Sequence, residues 1–260
     1  MRIAVLADIH GNLPALRAVL TEIDQDGIDV IVVAGDVVGG PLVLESLQSL
    51  AARPEPVRWI SGNGEREAVA AFDGAPVADH AAGHAAAWSA VALDSEWRDE
   101  LTSWPITLQL DGVRFCHGSP RRDDEILTSQ TPDDDLREAL AGVVEPLVVG
   151  GHTHQQLVRP VRDGLSYVNA GSVGLPYEGR AGAFWLIVDQ GEPQMRETAY
   201  DLEPAVEELR ASGFAGLEDH LDGSLLAPAD PDWVAAFFEH VAGRGEHPGQ
   251  QRPSTAAGHR

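Results

Sequence analysis

The chain has 260 residues, enough for one large domain or two small ones with a substantial hydrophobic core. It contains 41 acidic and 18 basic residues, and every basic residue is arginine, so the formal net charge is −23 and Schiff-base chemistry on a lysine is excluded. This acidity argues against broad binding of nucleic acids or anionic membranes, both of which need a basic surface.

The cysteine content and the lengths of the hydrophobic segments exclude further classes of protein. The single cysteine, Cys116, excludes an internal disulfide and a cysteine-based zinc site. No stretch of the sequence reaches the roughly 18 apolar residues of a membrane helix. Residues 1–20 lack the layout of a signal peptide, because Asp8 and His10 interrupt them. We therefore expect a cytoplasmic protein without a membrane partner.

The first 60 residues predict an α/β fold. Short apolar, β-branched runs at 3–7 and 29–34 are typical of buried strands, and a short strand is expected at 57–60. Helices are expected at 13–26 and 41–52. Crossovers of ten or more residues between successive strands indicate a parallel sheet.

The rest of the chain predicts helices, hairpins and a looser end. Residues 65–104 form an alanine-rich helical insertion, and Asp111-Gly112 is a strong signal for a hairpin. Thr131 and Pro132 are expected to start a helix as N-cap and first residue. We predict a main domain at 1–212 with 65–104 as a lid-like insertion, a helical extension at 213–243 and a disordered tail at 244–260.

Residues of metal-ligand type stand where several predicted strands end, usually beside glycine. Ligands in open α/β sheets bind at the carboxyl ends of strands, and divalent ions prefer carboxylate, amide and imidazole ligands. These segments are Asp8-Ile9-His10, Gly35-Asp36, Gly62-Asn63, Cys116-His117-Gly118 and Gly151-His152-Thr153-His154.

Each segment alone could equally be a turn, a helix cap or an exposed loop. Their conjunction at five strand ends favours one site with two metal ions. Two close ions need a bridging group, which a carboxylate can provide. Asp36 is the better candidate for the bridge, because the spacing of Asp8 and His10 suits a single ion, and Asn63 would add a neutral oxygen.

These five motifs resemble the calcineurin-like metallophosphoesterase superfamily, and most closely its small bacterial and archaeal phosphodiesterase branch. The resemblance spans about residues 1–200. It implies a four-layer αββα sandwich with two mixed β-sheets. It also implies two divalent ions, typically manganese, iron, nickel or zinc. The implied ligands are Asp8, His10 and His154 for one ion, Asn63, His117 and His152 for the other, and Asp36 as the bridge.

The implied function is a dinuclear-metal-dependent phosphoesterase that uses a metal-bridging hydroxide as nucleophile on a small phosphoester or nucleotide. The residues expected at the reacting atoms are Asp36, Asn63 and His117. A non-catalytic scaffold, or a nucleotide-binding regulator, on the same fold is the alternative function. Homo-oligomerisation stays open.

One position departs from the common pattern of the superfamily. Many members have a histidine after Gly-Asn that can protonate the leaving oxygen, whereas this chain has Gly64. General acid catalysis is worth ~10²–10⁴-fold, so its absence favours better leaving groups. Members of the small phosphodiesterase branch also tend to lack this histidine, so the resemblance implies diesters or pyrophosphate-type anhydrides, and a phosphodiesterase over a monoesterase. His80 and His84, four residues apart on a predicted helix, are alternatives for the missing acid.

Further polar side chains near the motifs are candidates for contacts with the substrate. An arginine can clamp a phosphate through paired hydrogen bonds. The candidates are Asn12, Arg121, Arg122, Tyr177 and Arg180.

Overall fold

The computed structural model describes residues 1–162 and 164–250. The strands are β1 (Arg2–Leu6), β2 (Val30–Ala34), β3 (Val57–Ile60), β4 (Thr107–Leu110), β5 (Val113–Cys116), β6 (Leu147–Gly150), β7 (Gln156–Arg162), β8 (Leu165–Ala170), β9 (Ala183–Asp189), β10 (Glu192–Thr198), β11 (Asp222–Gly223) and β12 (Ala227–Pro228). The helices are α1 (Leu13–Asp26), α2 (Val43–Ala51), α3 (Asn63–Phe72), α4 (Ala81–Ala92), α5 (Ser95–Ser103), α6 (Asp133–Ala139), α7 (Leu202–Ala211), α8 (Leu217–Leu221) and α9 (Pro231–Val241).

Ten of these strands form two five-stranded mixed sheets. The first has the order β10-β9-β1-β2-β3, and the second has the order β4-β5-β6-β8-β7. Strands β1, β2 and β3 are parallel, as their helical crossovers predict, and so are β5, β6 and β8. The parallel strands end on the same side of each sheet, which is the side where the predicted ligands lie.

The two sheets pack face to face with helices on both outer faces. Alternate residues of β1 show this, because Ile3 and Val5 lie in the core between the sheets. Ala4 and Leu6 point the other way, into the core under α1 and α2. The outer face of the second sheet is covered by α6, whose Leu136 packs in the cluster on that face. The predicted four-layer αββα sandwich is confirmed.

The Asp111-Gly112 turn joins β4 and β5 with φ of 50° and 78°, as expected for a two-residue hairpin. The predicted start of α6 is wrong by one position, because Pro132 is the N-cap and the helix begins at Asp133. The Thr131 hydroxyl instead contacts the Thr128 N–H at 2.8 Å and Glu239 at 2.6 Å. A tertiary contact therefore replaces the expected cap.

Residues 213–243 pack on the main body of the fold. Phe214, Leu217 and Leu221 are buried in one cluster with Leu175 and with Ala85 of α4. The division at 212 stays a prediction. Of the predicted tail, residues 251–260 lie outside the described part of the chain.

Helix α9 is attached through the carboxylate of Glu239, whose exposed fraction is 5%. Its Oε1 accepts hydrogen bonds from the hydroxyls of Thr128 at 2.7 Å and Thr131 at 2.6 Å. Its Oε2 pairs with Arg244 Nε at 2.6 Å. Burial opposes ionisation of Glu239, but the hydrogen bonds from Arg244 and the two threonines outweigh it and lower its pKa.

We expect Glu239→Gln to lower the free energy of unfolding by about 1.5–3 kcal/mol at pH 7, because hydrogen bonds to a charged group are lost. The lowered pKa means that this stabilisation is present above the ordinary value of 4.5 and is lost as the pH falls through the pKa of the folded state. Urea unfolding of both proteins at pH 7 and pH 4 measures the difference. Glu203→Gln, an exposed change on α7, is the control. A difference that does not shrink on acidification would contradict this role.

Candidate metal centre

The seven predicted ligands come together at the carboxyl ends of the parallel strands. Asp8 and His10 follow β1, Asp36 follows β2, and Asn63 begins α3 directly after β3. His117 follows β5, and His152 and His154 follow β6 in the other sheet. The site therefore lies between the two sheets and takes residues from both.

Asp8, His10 and His154 form one group whose donor atoms lie within 4.8 Å of one another. The Nε2 atom of His154 is 3.2 Å from Asp8 Oδ1 and 3.2 Å from His10 Nε2. This is the set that the sequence analysis assigns to one ion.

Asp8, Asp36 and His117 form the second group. His117 Nε2 is 3.4 Å from Asp36 Oδ2 and 3.8 Å from Asp8 Oδ1. Asp36 Oδ2 is also 3.7 Å from His10 Nε2, so this oxygen lies near an imidazole of each half. Asp8 Oδ1 also lies near an imidazole of each half, 3.9 Å from His10 Nε2 and 3.8 Å from His117 Nε2. Each carboxylate meets the geometric requirement for a bridging ligand, and the assignment of the bridge to Asp36 stays a prediction.

Main-chain carbonyls orient two of the imidazoles. His117 Nδ1 lies 2.8 Å from Ala34 O, and His154 Nδ1 lies 2.7 Å from Leu175 O. Since a carbonyl only accepts, each Nδ1 carries the hydrogen, and in the neutral ring Nε2 is left as the donor atom that faces the site.

Asn63 and His152 complete the predicted second set. Both line one cavity together with His10, Asp36 and His154. The amide nitrogen of Asn63 donates to Glu67 at 3.4 Å, which leaves its oxygen for a ligand. The ring of His152 packs edge-on against His117 with centroids 5.1 Å apart.

Buried polar atoms without a partner test whether the site fits metal ions. Within the described residues, Asp8 Oδ1, Asn63 Oδ1 and His117 Nε2 are buried and have no hydrogen-bond partner. Such atoms are rare in proteins, because each loses its contact with water without compensation. Carboxylate, amide and imidazole donors in one place suit a divalent cation, so the residues fit the group that the family implies.

The charges of the site also favour a cation. Burial opposes ionisation of Asp8 and Asp36, but His154 and His117 outweigh it and lower the pKa of both carboxyl groups. Burial likewise disfavours the charged form of His117, yet Asp36 and Asp8 raise its pKa to about 10. Burial lowers the pKa of His152 to about 4. Both carboxyl groups are therefore ionised, and a bound cation would balance their negative charge.

The main chain is strained at five of the seven predicted ligands. Their φ angles lie in the left-handed region, which costs about 1–3 kcal/mol for a residue with a side chain. The residues are Asp8 (54°), His10 (47°), Asp36 (55°), His152 (69°) and His154 (58°). Hydrogen bonds between loops hold this conformation, among them Ser172 Oγ to Asp8 O at 2.7 Å and His10 N to Asp36 O at 2.9 Å.

Glu65 is a buried residue of the site that sequence reasoning missed. Its carboxylate accepts the N–H groups of Asp36, Val37 and Gly62, each at 2.8 Å. Burial and the charge of Asp36 raise the pKa of Glu65 to about 7, and the backbone N–H groups act in the opposite direction. Glu65 therefore ties the loop after β2 to the loop after β3. Its position as third residue of α3 is the one signal in the sequence, since a glutamate there often caps the helix.

The glycine at position 64 lies close to the side chain of Asp36. Gly64 N donates to Asp36 Oδ1 at 2.7 Å, and a Cβ atom on Gly64 would lie 2.9 Å from that oxygen. A larger side chain at 64 therefore requires Asp36 or α3 to shift.

The predicted substrate contacts have different outcomes. Tyr177 lines the cavity, and its ring stacks on His154 with centroids 5.0 Å apart. Asn12 is buried as the N-cap of α1, where its side chain bonds Ala15 N and Gly174 O.

The three predicted arginines are held by carboxylates and do not line the cavity. Arg121 pairs with Glu125 at 2.6 Å, Arg122 pairs with Asp124 at 2.8 Å, and Arg180 pairs with Glu197 at 2.7 Å. No contact therefore supports the predicted clamp on a phosphate.

Helix α4 faces the cavity with Ala81, Ala82 and Ala85. His80 caps this helix by accepting Gly83 N at 3.2 Å, and the exposed His84 lies 3.0 Å from Asp79. Neither imidazole lines the cavity.

The segment after residue 212 adds four residues to the cavity wall that the sequence analysis did not single out. They are Asp219, His220, Asp222 and Phe238. Burial lowers the pKa of His220 to about 3, so its ring is neutral at pH 7. These residues follow no predicted strand end, and therefore no pattern marked them.

Among the helices of residues 1–162 and 164–250, none is long and apolar enough to cross a bilayer.

Comparisons with known proteins agree with this arrangement. A family model described as the calcineurin-like phosphoesterase superfamily domain matches residues 1–190. An uncharacterized protein of Methanocaldococcus jannaschii is 27% identical over 230 residues, which cover 80% of this chain and 91% of that protein.

Two solved structures share the fold. A metallophosphoesterase from Sphaerobacter thermophilus has a TM-score of 0.67 and 24% identity, over 85% of this chain and 98% of that one. A hypothetical protein from Pyrococcus horikoshii OT3 has a TM-score of 0.71 and 24% identity, over 85% and 97%. With the family model matching residues 1–190, the chain belongs to the calcineurin-like phosphoesterase superfamily.

Proposed function

We propose that the protein is a phosphodiesterase that depends on two divalent metal ions and acts on a small phosphoester. The observation that carries this proposal is the convergence of seven ligand-type residues from five strand ends on one site, with buried donor atoms that lack a partner among the described residues. Manganese, iron, nickel and zinc all suit such a donor set.

The proposed roles follow the two halves of the site. Asp8, His10 and His154 would hold one ion, Asn63, His117 and His152 the other, and Asp36 would bridge them. Two bound ions would lower the pKa of a water held between them and offset charge on the phosphate. Asp36, Asn63 and His117 are the residues that we place nearest the reacting atoms. Their loops are fixed by Glu65 and by the Ala34 carbonyl, so the donor atoms are positioned before a ligand arrives.

The absence of a proton donor at position 64 favours substrates that have good leaving groups. Position 64 is glycine, and His220, the imidazole of the cavity wall that is not a predicted ligand, is neutral at pH 7. An alkoxide that leaves without a donor must carry its full charge, whereas a phenolate or a similar weak base can leave unaided. The site is therefore suited to esters of acidic alcohols.

The size and charge of the cavity support a substrate with few negative charges. Its volume is about 270 Å³, which suits a small molecule. Asp219 and Asp222 stand in its wall, and the described residues that line it include no arginine. A diester carries one negative charge, whereas a monoester carries up to two and a dinucleoside polyphosphate more. Carboxylates that face the substrate favour the diester, since like charges repel.

The manganese-loaded protein should hydrolyse bis(4-nitrophenyl) phosphate with a higher kcat/KM than 4-nitrophenyl phosphate. Both esters release the same 4-nitrophenolate, so the comparison removes differences in leaving-group acidity. The esters then differ in the charge on the phosphate and in the second aryl group of the diester. Asp36→Asn keeps the shape of the side chain and should reduce the rate by at least about 10²-fold, because it removes a proposed ligand.

Asp134→Asn, an exposed change on α6, is the control and should leave the rate unchanged. A clear preference for the monoester would overturn the phosphodiesterase assignment. If manganese and the other three metals gave no hydrolysis of either ester or of a dinucleoside polyphosphate, the enzyme itself would be ruled out in favour of a binding protein.

We also propose that Glu65 positions Asp36. Glu65→Gln replaces one carboxylate oxygen with an amide group, which faces main-chain N–H groups that need an acceptor. A donor left unpaired in a buried place costs about 1–3 kcal/mol. We expect lower stability and weaker binding of manganese in isothermal calorimetry.

Glu96→Gln is the matched control, because Glu96 also lies in the first turn of a helix but is exposed. Manganese affinity equal to that of the unchanged protein would show that Asp36 keeps its position without Glu65.

A further inference from the structure

The chain beyond the matched family domain reaches the metal centre. The family model ends at residue 190, whereas α8 at Leu217–Leu221 supplies His220 to the cavity that contains His10. Helix α8 is fixed there by apolar packing, since Leu217 and Leu221 are buried against Leu175 and Ala85. The position of His220 therefore depends on the fold of this C-terminal segment.

His10 lacks the hydrogen bond that orients two of its neighbours. His117 and His154 each direct Nδ1 to a main-chain carbonyl. The Nδ1 atom of His10 is buried and has no hydrogen-bond partner in the part of the chain that the structure describes. No hydrogen bond at Nδ1 therefore helps to hold this ring with Nε2 toward Asp8 and Asp36. The contact of Nε2 with His154 Nε2 at 3.2 Å lies within the site itself, so packing is left to orient the ring from outside it.

The ring of His10 packs against two other imidazoles. One belongs to His154, with centroids 5.0 Å apart. The other belongs to His220, with centroids 6.2 Å apart and an angle of 80° between the ring planes. Gly39 lets the main chain approach, because a Cβ atom there would lie 3.2 Å from His10 Nδ1.

His220 is itself held in place by its neighbours. Its ring packs edge-on against Phe214, with centroids 5.2 Å apart and an angle of 83°. A Cβ atom on Gly40 would lie 3.1 Å from His220 Nε2, so the loop after β2 also approaches this ring. The Nε2 atom of His220 has no partner of full hydrogen-bond geometry within residues 1–162 and 164–250. The main chain of His10 acts on this imidazole in the direction of a higher pKa, but burial outweighs it. Packing of the ring and a polar contact of its nitrogen are therefore separate contributions, which a phenylalanine at position 220 distinguishes.

We propose that His220 is a positioning residue for the metal centre: its ring packs against His10 and keeps that imidazole directed at the ion shared with Asp8 and His154. The inference rests on the proposed function only in so far as His10 is a metal ligand. It makes the C-terminal segment part of the metal site, because loss of the His220 ring leaves His10 with space to rotate.

The test compares His220→Ala, which removes the ring, with His220→Phe, which keeps a ring but no nitrogen. Calorimetric titration of the full chain with manganese measures the affinity of both metal sites in the absence of substrate. We expect His220→Ala to weaken one of the two binding events by about 10–100-fold, the usual effect of removing the support of a metal ligand. His220→Phe should restore affinity to within about threefold of the unchanged protein.

Selectivity separates positioning from a general loss of structure. A loosened fold lowers the affinity for both metal ions. A rotated His10 lowers the affinity only for the ion that His10 binds. The visible absorption spectrum of the cobalt(II)-loaded protein gives a second readout, which should change in His220→Ala and return in His220→Phe. His240→Ala is the matched control, because it removes an imidazole from α9 outside the cavity.

Three results would overturn the proposal. Unchanged affinity of both sites in His220→Ala would show that His10 needs no support from this ring. An equal loss in His220→Phe would show that a nitrogen of His220 is required, as for a ligand. Absence of metal binding by the unchanged protein would remove this proposal and the proposed function together. If the protein binds two ions but hydrolyses no ester, the proposed function fails and the role of His220 can still be measured.

Discussion

Two carboxylates that are almost fully removed from water, Asp8 and Asp36, set the conditions for the surrounding structure. A buried charge is tolerated only when it is paired and hydrogen-bonded. Here the partners are imidazoles and main-chain N–H groups, including His152 N at 2.9 Å from Asp8 Oδ2 and Gly64 N at 2.7 Å from Asp36 Oδ1. The N–H of His152 belongs to the loop after β6, and the N–H of Gly64 belongs to the first turn of α3, which follows β3. The carboxylates therefore order the loops of both sheets around one point, and the hydrophobic core alone does not explain their conformation.

The architecture could be predicted well where local sequence decides the outcome. The helix at 13–26 has the predicted bounds, because its amphipathic period ends at Asp26 and Gly27 takes the left-handed C-cap conformation. The short strand at 57–60 also has the predicted bounds. The N-cap of α6 could not be predicted, because a glutamate 108 residues later takes the hydroxyl of Thr131. A helix cap depends on neighbouring residues, whereas the contact that competes for this hydroxyl comes from a distant part of the chain.

The same contrast holds at the metal centre. Its seven predicted ligands are marked by their places after strands, and they lie together. Glu65 is marked only as a capping residue of α3, because its contacts with Asp36 and Val37 arise when distant segments meet. His220 carries no mark, since its contact with His10 joins residues that are far apart in the sequence. The contacts predicted for the three arginines stay predictions, and the composition of the chain explains why these side chains have other partners in the structure. With 41 acidic residues and 18 arginines, carboxylates are abundant near each guanidinium, and Arg121, Arg122 and Arg180 are each paired at the surface. A charge that looks available in the sequence is then already neutralised in the fold.

Strand β1 lies in the middle of the first sheet, between β2 and β9, and pairs Arg2 with Asp189 and Val5 with Leu186. The Asp8 carbonyl likewise accepts hydrogen bonds from Ser172 and Gly174. During synthesis β1 is therefore made about 180 residues before its partner β9, which is roughly 10–40 s earlier at ~5–20 residues per second. During that time β1 has an unpaired edge, and such edges are prone to wrong pairing. The order of synthesis thus makes the loop of Asp8 and His10 the first part of the metal centre to be made and among the last to be fixed.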